Sequence, residues 1–249
     1  MNGRKFFSLL LAVSALLALA GCALFRANPL AENRGAVVLL FDTRTSGDLK
    51  SLRATLGEHD ACATVFAAGQ VNAGRAGELL NLQDEGHEVG LSGLKGVDPR
   101  SYSLMYGQQK YFQDEIVTQV LGAKRYGLNP RSFILPRFYE KTSDGPSLPA
   151  FLVSKGFGRV VQRLPAEVTP QAKQVAKLRK PVIAAYVMTT NVFDRAQIAS
   201  LAKRNEILVV LPNRQVLPML LEEARAQGVP FATLSDLETN ENRSKEISR

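Results

Sequence analysis

Apolar runs of strand length alternate along this chain with segments whose apolar residues recur at helical spacing. Ala36 to Phe41 is continuously apolar, the pattern of a strand covered on both faces. Leu49, Leu52 and Leu56 then fall on one helix face, with Ser46 or Asp48 placed to cap it. A strand is expected from Ala63 to Ala67, a helix from Arg75 to Gln83 and a strand from Glu88 to Ser92. Phe112, Ile116, Gln119, Val120 and Ala123 keep helical spacing within one long helix expected from Tyr102 to Arg125, which Gly127 ends. Further strands are expected at Ser132 to Leu135, Arg159 to Gln162, Val182 to Val187, Ile207 to Leu211 and Phe231 to Leu234. The intervening helices are Pro149 to Lys155, Gln171 to Arg179, Arg195 to Arg204 and Val216 to Gln227, with Pro218 in the first turn of the last.

Repeated strand–helix–strand units predict a parallel sheet. Seven or eight of them in roughly two hundred residues make a barrel or a doubly wound sheet, and periodicity does not separate the two. Either way the strand C-termini share one edge, where such folds place their sites. That edge carries Asp42-Thr43-Arg44, Leu91 to Gly96, Pro136 to Tyr139 and Pro212-Asn213.

The first residues change the picture. Arg4 and Lys5 precede an apolar run from Phe6 to Ala20, the layout of a secretory signal and short for a bilayer span. The run closes in Leu19-Ala20-Gly21-Cys22, which resembles a bacterial lipobox. The resemblance implies lipidation of Cys22, removal of residues 1–21, and a tether over residues 22–34. Ala23 rather than Asp after the cysteine points to an outer-membrane lipoprotein facing the periplasm. Cys62 then remains without an intramolecular disulfide partner, in an apolar run that marks it as a buried small hydrophobe. The polar stretch 239–249 is expected to fray.

The formal charge is +8, and without Arg4 and Lys5 it is +6. The bases are scattered and no basic run interleaves with aromatics, so nucleic acid is not an expected partner. An anionic wall polymer or headgroup surface is the natural counterpart of such a charge, and a merely soluble basic surface is the plainer reading.

The edge segments also resemble, in order and spacing, the polysaccharide deacetylases of the NodB-homology (carbohydrate esterase 4-like) family. The family's first strand ends Thr-Phe-Asp-Asp-Gly; here it ends Leu40-Phe41-Asp42-Thr43-Arg44. Its Ala-Thr-Phe-Phe strand is matched by Ala63-Thr64-Val65-Phe66, with Gly69-Gln70 after it. Its Gly-His-Glu-Ile-Gly-Asn-His-Thr-x-x-His run is matched by Gly86-His87-Glu88-Val89-Gly90-Leu91-Ser92 through Gly96. Phe133 to Pro136, Lys155-Gly156-Phe157, and Ile207 to Leu211 with Ala226 to Leu234 resemble later family segments. The resemblance spans about Gly35 to Glu238 and implies a distorted barrel of seven or eight β/α units in a domain over residues 35–238.

Such enzymes deacetylate N-acetylated sugars with a divalent metal held by one Asp and two His, a neighbouring Asp as base and a late His as acid. Matched by position, Asp42 takes the base place and the metal Asp becomes Thr43. The two metal His become Ser92 and Gly96, and the acid becomes Pro212. The chain's two histidines, His59 and His87, are expected away from the strand tips, His87 as a hydrogen-bonded structural residue. No metal or other cofactor is expected. Asp42 is either a surviving base or a cap for the following loop. Arg44, Arg137 and Tyr139 offer planar forks and a stacking face for an anionic or sugar ligand, or are ordinary surface residues.

The leading expectation is an envelope lipoprotein whose deacetylase-like domain binds a glycan or a protein partner without catalysis. The alternatives are a divergent hydrolase of C–N bonds in N-acetylated envelope polysaccharide or peptidoglycan, using Asp42 with Arg44 or Tyr139, and a structural subunit of an envelope export complex.

Overall fold

A computed structural model of the chain describes residues 30, 35–45, 48–136, 147–178 and 180–237. The signal, most of the tether, Cys22, the Arg137 to Tyr139 segment and residues 239–249 lie outside the described residues. Among the described residues no helix is long and apolar enough to cross a membrane.

Seven parallel strands close into a barrel. They are β1 (Ala36–Asp42), β2 (Thr64–Ala67), β3 (Glu88–Leu91), β4 (Ser132–Ile134), β5 (Arg159–Arg163), β7 (Val182–Met188) and β8 (Glu206–Pro212). Closure comes from β8 pairing with β1, Ala36 opposite Ile207 through Leu39 opposite Val210. The barrel is distorted where β9 (Phe231–Ala232) pairs with Val37 and Val38 while β2 pairs only with Leu40 to Asp42. The seven-stranded barrel resolves the choice that periodicity left open.

The alternation of the strands sorts the core into two layers. Val37, Leu39 and Phe41 face the helices with Leu52, Leu56 and Leu220. Ala36, Val38 and Leu40 face the barrel interior with Phe66, Ile134, Val161, Ile183 and Val209. A side-chain period of two therefore aims Asp42, two residues beyond Leu40, into the barrel mouth. The same parity carries Arg163 inward, two residues beyond Val161. Phe66 fills the interior so closely that a Cβ at Gly90 would stand 2.6 Å from its ring.

The helices are α1 (Leu49–Glu58), α2 (Ala73–Asp84), α3 (Pro99–Tyr106), α4 (Gln108–Tyr111), α5 (Thr118–Arg125), α6 (Leu148–Ser154), α7 (Val175–Leu178), α8 (Arg195–Arg204) and α9 (Val216–Ala226). Asp48 caps α1, accepting from Lys50 N and Ser51 N. Two expectations need correction. The long helix is interrupted at Gly107, whose φ of 83° leaves the helical region, and it runs through a π-helical turn, Phe112–Val117. The expected helix from Gln171 to Arg179 instead contains β6 (Lys173–Gln174), antiparallel to β8, before the short α7. Leu30, inside the expected tether, is buried in the inner cluster that also holds Ala36, Leu178 and Ile207.

Candidate functional site

Asp42 closes β1 at the barrel mouth and is 1% exposed. Its Oδ1 accepts from Arg44 N at 2.9 Å and from Ser92 Oγ at 3.2 Å. Its Oδ2 accepts from Arg163 Nη2, and Arg44 Nη1 lies 3.7 Å away. Thr45 N donates to the Asp42 backbone carbonyl at 2.9 Å, so carbonyl and carboxylate together tie the turn that leaves the strand.

Arg44, expected to line a ligand groove or the open surface, is exposed, and its guanidinium turns back over the mouth. Nη1 donates to Ser92 O at 2.7 Å and Ser92 Oγ at 3.0 Å, and Nη2 donates to Gly93 O. A Cβ at Gly96 would stand 2.6 Å from Arg44 Nε and 2.8 Å from Cζ. The guanidinium therefore lies against both positions matched to the metal histidines and beside Asp42. Thr43, matched to the metal Asp, is turned to other work. Its Oγ1 accepts from Ala68 N at 2.9 Å and from Arg75 Nη2 at 2.5 Å.

Two guanidinium groups, Arg44 and Arg163, thus converge on one carboxylate, and a third, Arg75, is held beside them on Thr43. Burial pulls Arg163 below its ordinary value, against the opposing pull of Asp42. Burial lowers Arg75 as well, with Arg44 adding to the effect. Both remain cations at neutral pH, since guanidinium stays protonated under any such shift.

The loop carrying Ser92 to Gly96 is held from behind by two buried polar residues on the π-helical turn and α5. Glu115 Oε2 accepts from Lys95 N at 2.8 Å and Gly96 N at 3.0 Å, and its carbonyl accepts from Leu94 N at 2.8 Å. Gln119 donates to Ala67 O and Gly69 O, both at 2.8 Å, and accepts from Gly93 N at 3.0 Å. A π turn frees a carbonyl from the helix ladder, which suits its occurrence where a helix must clamp a loop.

Beside Asp42 opens a cleft of about 480 Å³ between the ends of β1, β7 and β8. Leu40, Leu52, Val187, Leu211 and Leu217 form apolar walls; Thr45, Asn213, Arg214 and Arg163 supply polar groups. Pro212, matched to the acid, ends β8 on this cleft and offers no proton. A second cavity of about 550 Å³ lies at the opposite edge, around Arg53, Asp60, Glu85 and His87. His87 Nδ1 there accepts from Ala63 N at 3.2 Å, and His59 caps the C-terminus of α1. Neither imidazole is at the mouth.

The donor set does not fit a divalent metal. Zinc-like ions take thiolate, imidazole and carboxylate. The matched positions offer two protonated hydroxyls and a hydrogen, the one carboxylate is already bound by two arginines, and a guanidinium stands in the space between them. Among the described residues no group of three His, Cys, Asp or Glu converges.

The sequence pattern brought Asp42, Thr43, Arg44, Ser92 and Gly96 to one point, with Pro212 across the cleft. It missed Arg163, because β5 was expected to stop at Gln162, and it missed Arg75. Glu115 was also unremarked, and Gln119 was placed on the inward helix face without a role. A polar residue at an apolar helical position, four residues from a carboxylate, was the available signal.

No family model and no curated protein matches the sequence. Solved structures match the fold. A family 4 carbohydrate esterase from Bacillus anthracis is 17% identical with a TM-score of 0.51, covering 85% of this chain and 90% of that one. The polysaccharide deacetylase Bc1974 from Bacillus cereus is 21% identical with a TM-score of 0.50, covering 80% and 92%. A family 4 pseudoenzyme from Bacillus anthracis is 14% identical with a TM-score of 0.50, covering 82% and 66%. The chain has the fold of the family 4 polysaccharide deacetylases, with a pseudoenzyme among its structural neighbours.

Proposed function

We propose that this chain is an envelope-anchored, deacetylase-like domain that binds glycan in the cleft beside Asp42 and performs no metal-dependent hydrolysis. One observation carries the reading: the Arg44 guanidinium stands against Asp42, Ser92 and Gly96, where the family's geometry asks for a metal. A fixed monovalent cation there organises the strand tips but has no open coordination position with which to polarise an amide or activate water. Asp42 is equally ill placed as a base. A base needs a lone pair directed at the proton it removes, and both carboxylate oxygens of Asp42 already accept from Arg163, Arg44 or Ser92.

The cleft suits a sugar: apolar walls for the C–H faces and hydroxyl, amide and guanidinium groups for the ring oxygens. The lipobox-like Leu19-Ala20-Gly21-Cys22 supports anchoring. The test is acetate release from N-acetylglucosamine oligomers and peptidoglycan, with and without zinc or cobalt, beside equilibrium binding of the same glycans. The reading expects binding that Arg214→Glu weakens, and no release. Turnover that Asp42→Ala abolishes would establish the divergent-hydrolase reading instead.

A further inference from the structure

The strand N-terminal edge of the barrel carries a surface that the cleft does not explain. Lys124 ends α5, Arg131 enters β4, Lys155 caps α6 before β5, Lys180 enters β7, and Lys203 and Arg204 end α8 before β8. These strands are consecutive neighbours in the barrel, their starts spanning about 15 Å, and the six bases cluster around those entries. All six are exposed, and none is in an ion pair among the described residues. A base in the last turn of a helix complements the helix dipole. That reason does not reach Arg131 or Lys180, which lie in connecting loops. Elsewhere on the same edge the charges are mixed: Asp60 and Glu85 stand with Lys50 and Arg53 around the entries to β2 and β3, and Arg53 is paired with Glu85.

Within the basic sector opens an apolar groove of about 350 Å³, floored by Phe112, Val120 and Phe157 and rimmed by Lys124, Arg131 and Lys155. Leu121 stands on its rim, 62% exposed. Apolar groups ringed by bases, with no carboxylate in the lining, match a lipid surface, where acyl chains lie beneath anionic headgroups.

The chain's own course brings this edge to the membrane. Leu30 is buried in the inner cluster, six positions before β1 begins at this edge. Seven residues lie between it and Cys22, a reach of at most about 28 Å. We propose that the sector spanning the entries to β4, β5, β7 and β8 docks on an anionic lipid surface, with Leu121 entering the acyl boundary and the cleft turned away from the bilayer. This rests on the anchoring in the proposed function.

The chain has no tryptophan, so one introduced indole reports its own surroundings. The mature lipidated chain is reconstituted on vesicles of brominated phosphatidylcholine, with or without phosphatidylglycerol, carrying either Leu121→Trp or Leu104→Trp. Leu104 is 66% exposed on α3, which begins at the strand C-terminal edge. The expected result is a blue shift and bromine quenching of the Leu121→Trp variant with phosphatidylglycerol. Both should disappear when Lys124, Arg131 and Lys155 are changed to Glu, or at high salt, while the Leu104→Trp variant stays unquenched. An unquenched Leu121→Trp variant, or equal quenching of the two, would overturn the proposal. The mass of the Cys22 peptide reads anchoring separately: an unacylated Cys22 contradicts the anchoring, whatever the quenching shows.

Discussion

The Arg44 side chain and Gly96 are fitted to one another: a Cβ added at Gly96 would come within 2.6 Å of Arg44 Nε. Gly96 also has a φ of +71°. Gly96→Ala therefore adds an overpacking cost to a backbone cost, together about 3 kcal/mol in urea unfolding. In an Arg44→Ala background only the backbone cost of about 1 kcal/mol should remain. Equal costs in the two backgrounds would show that the pair is not coupled.

Arg163 and Asp42 form a buried ion pair across the barrel mouth, their side chains 13% and 1% exposed. Truncating one partner of such a pair strands the other charge. Arg163→Met should destabilise the fold by about 3 kcal/mol, and the added Asp42→Asn change should recover part of that loss. Chemical denaturation of the four chains of this cycle measures both effects.

Tyr111 is fully buried and its hydroxyl has no hydrogen-bond partner among the described residues. Removing an unsatisfied buried hydroxyl relieves a desolvation penalty. Tyr111→Phe is expected to raise stability by about 1 kcal/mol, read from the urea midpoint at unchanged slope. A loss of stability would mean that the hydroxyl has a partner.

Tyr102 donates to the Asp114 carboxylate, and that hydrogen bond, with lesser contributions from burial and the Asp114 charge, pushes the phenol up from 10.0 to about 12. A folded value above the unfolded one means that the contribution is complete below pH 10 and is lost as pH rises towards 12. A spectrophotometric titration should therefore show a late-ionising phenol that Tyr102→Phe removes. Its disappearance from the early phase instead would place Tyr102 in water, free of Asp114.

Much of the barrel was legible because its strands announce themselves. Ala36 to Phe41 is apolar throughout, as only a strand covered on both faces tends to be, and Arg195 to Arg204 is bounded by its own cap. The site was legible where it follows from strand ends: Asp42, Ser92 and Pro212 sit there whatever their neighbours do. Side-chain course was not legible. Arg44 reads in sequence as a groove-lining or surface residue, because nothing local says that its guanidinium turns back onto Ser92 and Gly96, about fifty residues on. Arg163 was lost to a one-residue error at the end of β5, where a charge looked like the start of a loop. The π turn was hidden by the apolar spacing that runs through it from Phe112 to Ala123, and Gly107 reads as a tolerated glycine within a helix.

The most direct test of the central claim is metal content. The purified full chain is equilibrated with zinc or cobalt, freed of loose ion and analysed by mass spectrometry, with cobalt absorption as a second readout. With Arg44 as the fixed cation, metal should stay far below one equivalent and no cobalt ligand-field bands should appear. One equivalent of metal per chain, lost on Asp42→Ala, would contradict the account.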